Sequence, residues 1–175
     1  MKTLDLFRFV PFRMNRLAAE ISSALSAEYR DRYGLDIPEW RVIATLGYRD
    51  KPSTAQSVSE STHTHKSTIS RAVTALIERG IVERLENAED RREYSLRLTR
   101  EGRKLYQSLI PRLLRREAEI LDCLTAAERQ QFERLLGKIE AGLSLPAEDT
   151  PAAGLKPTGA PSVRAQPGGR SSVRT

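Results

Sequence analysis

Apolar residues recur along this chain at helical spacing in several stretches and at strand spacing in one. Phe7, Val10, Met14, Leu17, Ile21 and Leu25 form a stripe through residues 4–33, which Gly34 closes. Pro11 lies inside that stretch, so the helix should start or kink there. Asp36-Ile37-Pro38-Glu39 opens a second helix, with proline in its first turn and acids at the positive end of the dipole. Trp40, Ile43 and Leu46 line it until the pattern fades over 47–50. Pro52-Ser53-Thr54 starts a short third helix that runs to about residue 61. A fourth covers 65–79, where Ile69, Val73, Leu76 and Ile77 keep i, i+4, i+7, i+8 spacing. Gly80 stands where a left-handed residue would end it.

The period then changes. Ile81-Val82-Glu83-Arg84-Leu85 reads as a strand, Asn87-Ala88-Glu89-Asp90-Arg91-Arg92 as a turn, and Tyr94, Leu96 and Leu98 as the buried face of a second strand. Thr99 caps a fifth helix that reaches about residue 123, with Leu105, Leu109, Leu113 and Ile120 along it and a bend expected at Pro111. Thr125-Ala126-Ala127-Glu128 is a capping box for a sixth, striped by Phe132, Leu135, Leu136, Ile139 and Leu143. The fold class is therefore mainly α with a small β-wing: a winged helix-turn-helix domain plus a helical dimerisation lobe. One domain spans 4–145, its DNA-binding lobe at about 36–98 and its dimerisation helices at about 4–33 and 100–145. Long apolar stripes at both ends imply termini that pack together and against a second subunit. From Pro146 the chain turns rich in Pro, Gly, Ser and Ala, so 146–175 reads as a disordered tail. Its cations are Lys156, Arg164, Arg170 and Arg174, against Glu148 and Asp149.

The fourth helix carries the candidate chemistry. Lys66, Ser67, Ser70, Arg71 and Thr74 share its polar face, and no acid interrupts them before Glu78. Phosphates ask for cations and small hydroxyl donors, and base edges ask for forked or short polar groups. An ordinary solvated face would interleave acids and use better helix formers. Arginine at a hairpin tip, as in Asp90-Arg91-Arg92, can enter a minor groove.

Composition agrees with a polyanionic partner without demanding one. The 175 residues carry 29 Lys and Arg against 23 Asp and Glu, a net charge of +6. No apolar run has the length of a membrane span. Arg8, Arg13 and Arg16 interrupt the N-terminal stretch, which excludes a signal peptide; a cytoplasmic protein is expected. Cys123 is the only cysteine, so neither an intramolecular disulfide nor a cysteine-based zinc cluster can form. His63 and His65 lack the further ligands that structural zinc needs and read as cap or surface residues. No metal, no cofactor and no enzymatic constellation is expected. Two alternatives remain beside a ligand-responsive regulator. One is an oxidation-sensing DNA-binding protein using Cys123, but Asp122 beside it disfavours a thiolate, and the better reading of Cys123 is a buried, inert cysteine. The other is an architectural DNA-binding protein.

The ordered motifs Pro38-Glu39-Trp40-Arg41-Val42-Ile43, Lys66-Ser67-Thr68-Ile69-Ser70-Arg71-Ala72-Val73, Glu78-Arg79-Gly80-Ile81-Val82, Asp90-Arg91-Arg92 and Leu98-Thr99-Arg100-Glu101-Gly102 resemble those of the MarR family of dimeric winged-helix transcription regulators. The resemblance covers about residues 7–143. It implies a homodimer knit by the first, fifth and sixth helices and bound to pseudo-palindromic operator DNA. It implies that Lys66, Ser67, Thr68, Ser70 and Arg71 face the DNA, that Asp90 braces the wing, and that Arg91 or Arg92 reaches the minor groove. Thr64 departs from the pattern, since Met or Leu often stands before the recognition helix. Phe9-Val10-Pro11-Phe12-Arg13-Met14-Asn15-Arg16 with His65-Lys66 resembles a narrower group that controls catabolism of aromatic acids of the hydroxycinnamate or benzoate type. That resemblance implies release from DNA by a small anionic aromatic effector or its coenzyme A thioester. Arg13 and Arg16 would meet its charge, and Tyr29, Tyr33, Trp40 and Ile43 would line its ring.

Overall fold

The computed structural model describes residues 3–86 and 94–145. The expected hairpin tip with Asp90, Arg91 and Arg92, and the expected tail at 146–175, lie outside the described residues. The elements in chain order are α1 (Val10–Tyr33), α2 (Ile37–Arg49), β1 (Ser53–Thr54), α3 (Ala55–Ser61), α4 (Lys66–Glu78), β2 (Val82–Glu86), β3 (Tyr94–Leu98), α5 (Arg100–Ile120) and α6 (Ala126–Gly142). The mainly α class with a small β-wing is what the described residues adopt.

Proline and cap chemistry place the helix starts. Pro11 sits in the first turn of α1, so it begins that helix rather than kinking it, and residues 4–9 precede it. Asp36 and Glu39 form a reciprocal capping box at α2: each carboxylate accepts the other residue's backbone N–H at 2.8 Å. At α6 the Glu128 carboxylate accepts the Thr125 N–H at 2.8 Å and the Thr125 hydroxyl accepts the Glu128 N–H at 3.4 Å. Hydrogen bonds to Thr125 hold the Glu128 carboxyl below its usual range. Pro111 lies inside α5 and the helix runs on past it.

Two expectations change here. The Ser53-Thr54 pair does not belong to the third helix. It forms β1, opposite Leu96 and Ser95 of β3, and Thr54 then caps α3 by accepting the Ser57 N–H at 3.1 Å. Two residues are too few to show an alternating pattern. The sheet is three-stranded and antiparallel, in the order β1-β3-β2. Cys123, expected to be buried, is exposed. α5 ends at Ile120, so the apolar stripe stops before the thiol is reached.

The core lies in the lobe built by α2, α3, α4 and the sheet. Val42, Ile43, Val58, Ile69, Leu76, Val82, Leu96 and Leu98 are sealed in it, and α5 adds Leu109. Each fully buried aliphatic side chain of this size contributes about 1.5–3 kcal/mol. The inner face of β3 holds Leu96 and Leu98, but Tyr94 lies in solvent, where the Arg84 guanidinium covers its ring at 5.6 Å.

The terminal helices are different. The C-terminal half of α1 packs on α5, but no residue of α6 is buried. Phe7 and Leu143 are each 69 % exposed, and Val10, Met14, Leu17, Leu114, Leu135 and Ile139 are also in solvent. Within one chain, the expected packing of the two termini on each other does not cover these stripes.

The joint between α4 and α5 is tight. Gly80 ends the α4 segment with φ 67°. The Thr99 hydroxyl donates to the Gly80 carbonyl at 2.7 Å, and the Thr99 N–H donates to the Ile81 carbonyl at 3.0 Å. A Cβ on Gly102 would collide with that same Ile81 oxygen. The oxygen is backbone held at both sides, so it cannot yield cheaply. Gly102→Ala is expected to destabilise the fold by about 2–3 kcal/mol in urea unfolding. A change below about 0.5 kcal/mol, the usual size for a neutral surface substitution, would contradict this close approach.

Candidate nucleic-acid interface

Burial of one face of α4 decides what the other face shows. Ile69, Ala72, Val73 and Leu76 point into the lobe, which turns Lys66, Ser67, Ser70, Arg71 and Thr74 to solvent. Thr68 lies at the margin, half-buried. His65 caps the helix through Nδ1, 3.4 Å from the Ser67 N–H and 2.8 Å from its hydroxyl. The Thr74 hydroxyl donates to the Ser70 carbonyl at 3.1 Å and keeps its acceptor lone pairs outward. Among the described residues, Lys66 and Arg71 have neither an ion pair nor a hydrogen-bonded side-chain partner. The cations at the base of the wing are already engaged: Arg97 pairs with Glu83 directly across the strands at 2.7 Å, and Arg84 covers Tyr94. Lys66 and Arg71 are thus two unpaired cations on one exposed helix face, with no acid among them before Glu78.

The turn that feeds α4 is held by polar bonds. Arg41 of α2 donates to the Thr64 hydroxyl at 2.7 Å, and that hydroxyl donates onward to the Thr62 carbonyl at 3.2 Å. Ser59 donates to the Thr64 carbonyl at 2.6 Å. His63 takes a left-handed backbone, φ 47°, to make the turn. On the other side of the lobe, Arg49 donates to the Ser57 hydroxyl at 2.6 Å, tying α2 to α3.

The second group of expected site residues divides in two. Tyr29 stacks on Trp40, with ring centroids 5.7 Å apart and planes 19° apart. Tyr33 shares a 2.9 Å hydrogen bond with Ser108 of α5. Burial pushes the Tyr29 hydroxyl above the ordinary tyrosine value, while Arg30 and Arg41 pull it partly back. Ile43 is wholly inside the core, so its side chain cannot line an open cavity. Arg13 and Arg16 lie elsewhere. With Val10, Met14, Leu17 and Glu20 they line a groove of 430 Å³ near the start of α1. Arg16 sits over the rings of Phe7 and Phe12, at 5.5 and 5.9 Å. Arg16 and Tyr29 are thirteen positions apart on one helix, about 20 Å at 1.5 Å per residue. One chain does not bring the arginines and the rings together. Among the described residues no cluster of His, Cys, Asp and Glu could hold a metal ion, and no helix is long and apolar enough to cross a membrane.

A family model described as the MarR family matches residues 33–93, from the end of α1 through the wing. PecS of Dickeya dadantii (strain 3937), an HTH-type transcriptional regulator, is 28 % identical over 133 residues, covering 74 % of this chain and 79 % of its own. A crystal structure of a MarR/EmrR family transcriptional regulator from Acinetobacter sp. ADP1 superposes with a TM-score of 0.71 and 27 % identity, over 82 % of this chain and 100 % of that one. The chain is thus similar to MarR-family winged-helix regulators. CouR from Rhodococcus jostii RHA1, solved bound to p-coumaroyl-CoA, has the same fold: TM-score 0.68 and 20 % identity, over 83 % of this chain and 98 % of that one. MarR regulators bind DNA, and the relatives matched here are transcription regulators rather than enzymes.

Within the MarR frame, Thr64 has a structural account. Where an apolar side chain often stands, this chain uses a hydroxyl with a guanidinium partner from α2. Arg41 is a residue that the sequence patterns did not single out. Its partner is 23 positions away and only the folded lobe brings them together. Thr64→Val removes both hydroxyl bonds at nearly constant shape and leaves the half-buried guanidinium unpaired. It is expected to cost about 1–3 kcal/mol in chemical denaturation, while Thr64→Ser stays close to the parent. Equal stability of the Val and Ser variants would remove the hydroxyl from the account.

Proposed function

We propose that this protein is a ligand-responsive repressor that binds pseudo-palindromic operator DNA as a homodimer. The observation that carries the DNA part is the α4 face, where Lys66, Ser67, Ser70, Arg71 and Thr74 stand together in solvent and both cations lack partners among the described residues. In this reading Arg71 and Ser70 read base edges, Lys66, Ser67, Thr68 and Thr74 hold the helix against phosphates, and the wing with Asp90, Arg91 and Arg92 reaches the neighbouring minor groove. The exposed apolar stripes of α1 and α6, together with Leu114 of α5, support a second copy as the partner that covers them. A two-fold dimer then presents its α4 helices to successive major grooves, with half-site centres about 10 bp apart. In this reading the domain is 4–145.

Binding measured on a duplex selected from a randomised pool, and on random DNA at the same salt, tests the interface. Two chains are expected per selected duplex. Arg71→Ala should lose roughly 1–3 kcal/mol on the selected duplex and little on random DNA. Lys66→Ala should weaken both alike and reduce the salt slope by about one. Equal losses on both duplexes for Arg71→Ala would refute base reading by α4.

The effector in this reading is an anionic aromatic acid or its coenzyme A thioester. Its support is the groove near the start of α1, where the Arg13 guanidinium is unpaired and Arg16 lies beside it. The shared fold with CouR, solved with p-coumaroyl-CoA, adds support. A ligand releases DNA only if it favours one spacing of the α4 helices over another. The expected coupling is about 1–3 kcal/mol, a 5- to 150-fold drop in operator affinity. Titration with a hydroxycinnamate, a benzoate and p-coumaroyl-CoA tests this, and Arg16→Ala should blunt the response while sparing ligand-free DNA binding. No calorimetric binding of any of the three would sink the effector assignment.

A further inference from the structure

Three elements end or begin at one side chain. Arg79 is the residue that closes α4. Its Nη2 donates to the Tyr33 carbonyl at 2.5 Å, and its Nη1 donates to the Gly34 carbonyl at 3.3 Å. The same Nη1 lies 3.7 Å from the Glu39 carboxylate. Tyr33 is the last residue of α1 and Gly34 is its left-handed cap. Glu39 is nearly buried, and its other oxygen accepts the Asp36 N–H that starts α2. The guanidinium thus meets the negative end of the α1 dipole and a carboxylate in the first turn of α2. Among the described residues, every hydrogen bond that joins the α4 segment to α1 comes from this one group.

We propose that Arg79 is a positioning residue that fixes the angle between the recognition helix and α1, and through it the operator half-site spacing that the dimer accepts. The inference rests on the homodimer and on DNA reading by α4, as set out above. α1 is a lever. Its 24 residues span about 36 Å, so an error of about 5° at the Tyr33 end moves the other end by about 3 Å. One base pair of B-DNA rises by about 3.4 Å and turns by about 35°. Small angular freedom at this joint is therefore as large as a one-base-pair change in spacing. The lobe's other ties to α1 are the Tyr29–Trp40 stack, whose flat faces can slide over each other, and, by way of α5, the packing of α1 on that helix with the single Tyr33–Ser108 hydrogen bond. The Arg79 fork is directional and resists that motion. The Thr99 and Gly102 joint holds α5 to the same end of α4, but it makes no bond to α1.

The side chain of Arg79 is 35 % exposed and lies outside the apolar core, so Arg79→Met should fold. The experiment uses the full chain and a duplex that the parent protein selects from a randomised pool. Two companion duplexes carry one base pair more and one fewer between the half-sites. The parent is expected to bind each companion at least about tenfold more weakly, within the range of a single mismatched position. Arg79→Met should bring the three affinities within about threefold of one another, chiefly by losing affinity for the selected duplex. Arg79→Lys, which restores charge without the fork, should recover part of the discrimination. A residue with only a structural role would lower all three affinities by one factor, so a parent-like ratio in Arg79→Met overturns the proposal. If the parent itself binds as one chain, or binds the three duplexes alike, the dimer reading fails and this inference falls with it.

Discussion

The sealing of Ile69, Val73 and Leu76 against α2, α3 and the sheet is the constraint from which the rest of the lobe follows. A helix with one buried stripe has no freedom of rotation about its own axis. Once that stripe is inside, the identity of the outward residues is settled, and they are two cations and three hydroxyls. The hydroxyls are poor choices for helix stability. Their presence on a helix that could have carried Glu, Gln or Ala is understandable if the face must touch something else. Around this helix the connections are polar and short. His65 caps its start, Arg41 braces the preceding turn, and Arg79 and Thr99 fasten its end. Apolar burial sets its rotation, and directional bonds set its two ends.

Much of this was legible in the chain because the signals are local. The apolar stripe of α4, the Asp36–Glu39 and Thr125–Glu128 boxes, the strand Tyr94–Leu98 and Gly80 all depend on neighbours within a few positions. What the chain did not disclose depends on distant partners. β1 is two residues long and exists because β3 offers it an edge. Arg41 and Thr64, or Arg79 and Tyr33, are ordinary polar residues until folding sets them side by side. The grouping of Arg13 and Arg16 with Tyr29 and Trp40 came from residue types alone, and helix length separates them. Ile43 has the right chemistry to line a cavity and the wrong depth. Cys123 follows an apolar helix in sequence, but the helix ends three positions before it.

The charge of the molecule is distributed in a way that a net value conceals. Several of its cations serve internal bonds: Arg49 to Ser57, Arg97 to Glu83, Arg103 to Asp50, Arg116 to Glu119. Exposed pairs of this kind add little stability. They do, however, neutralise charge locally, at the sheet, at the α2–α5 contact and near the end of α5. Lys66 and Arg71, by contrast, have no such partner among the described residues and share one exposed face of a rigid helix. A modest overall surplus is thus compatible with a strong local field.

The two-residue strand β1 has a mechanical meaning. β3 is flanked on both sides, so the base of the wing is a clamped sheet and not a free hairpin. The paired strands β2 and β3 are bonded through β3 to Ser53–Thr54, the cap of α3. A sideways load on the β2–β3 pair is therefore delivered to the start of α3 and, through the packing of α3 on α4, to the α4 face. Bending stiffness then joins the sheet and the α4 face into a single elastic body.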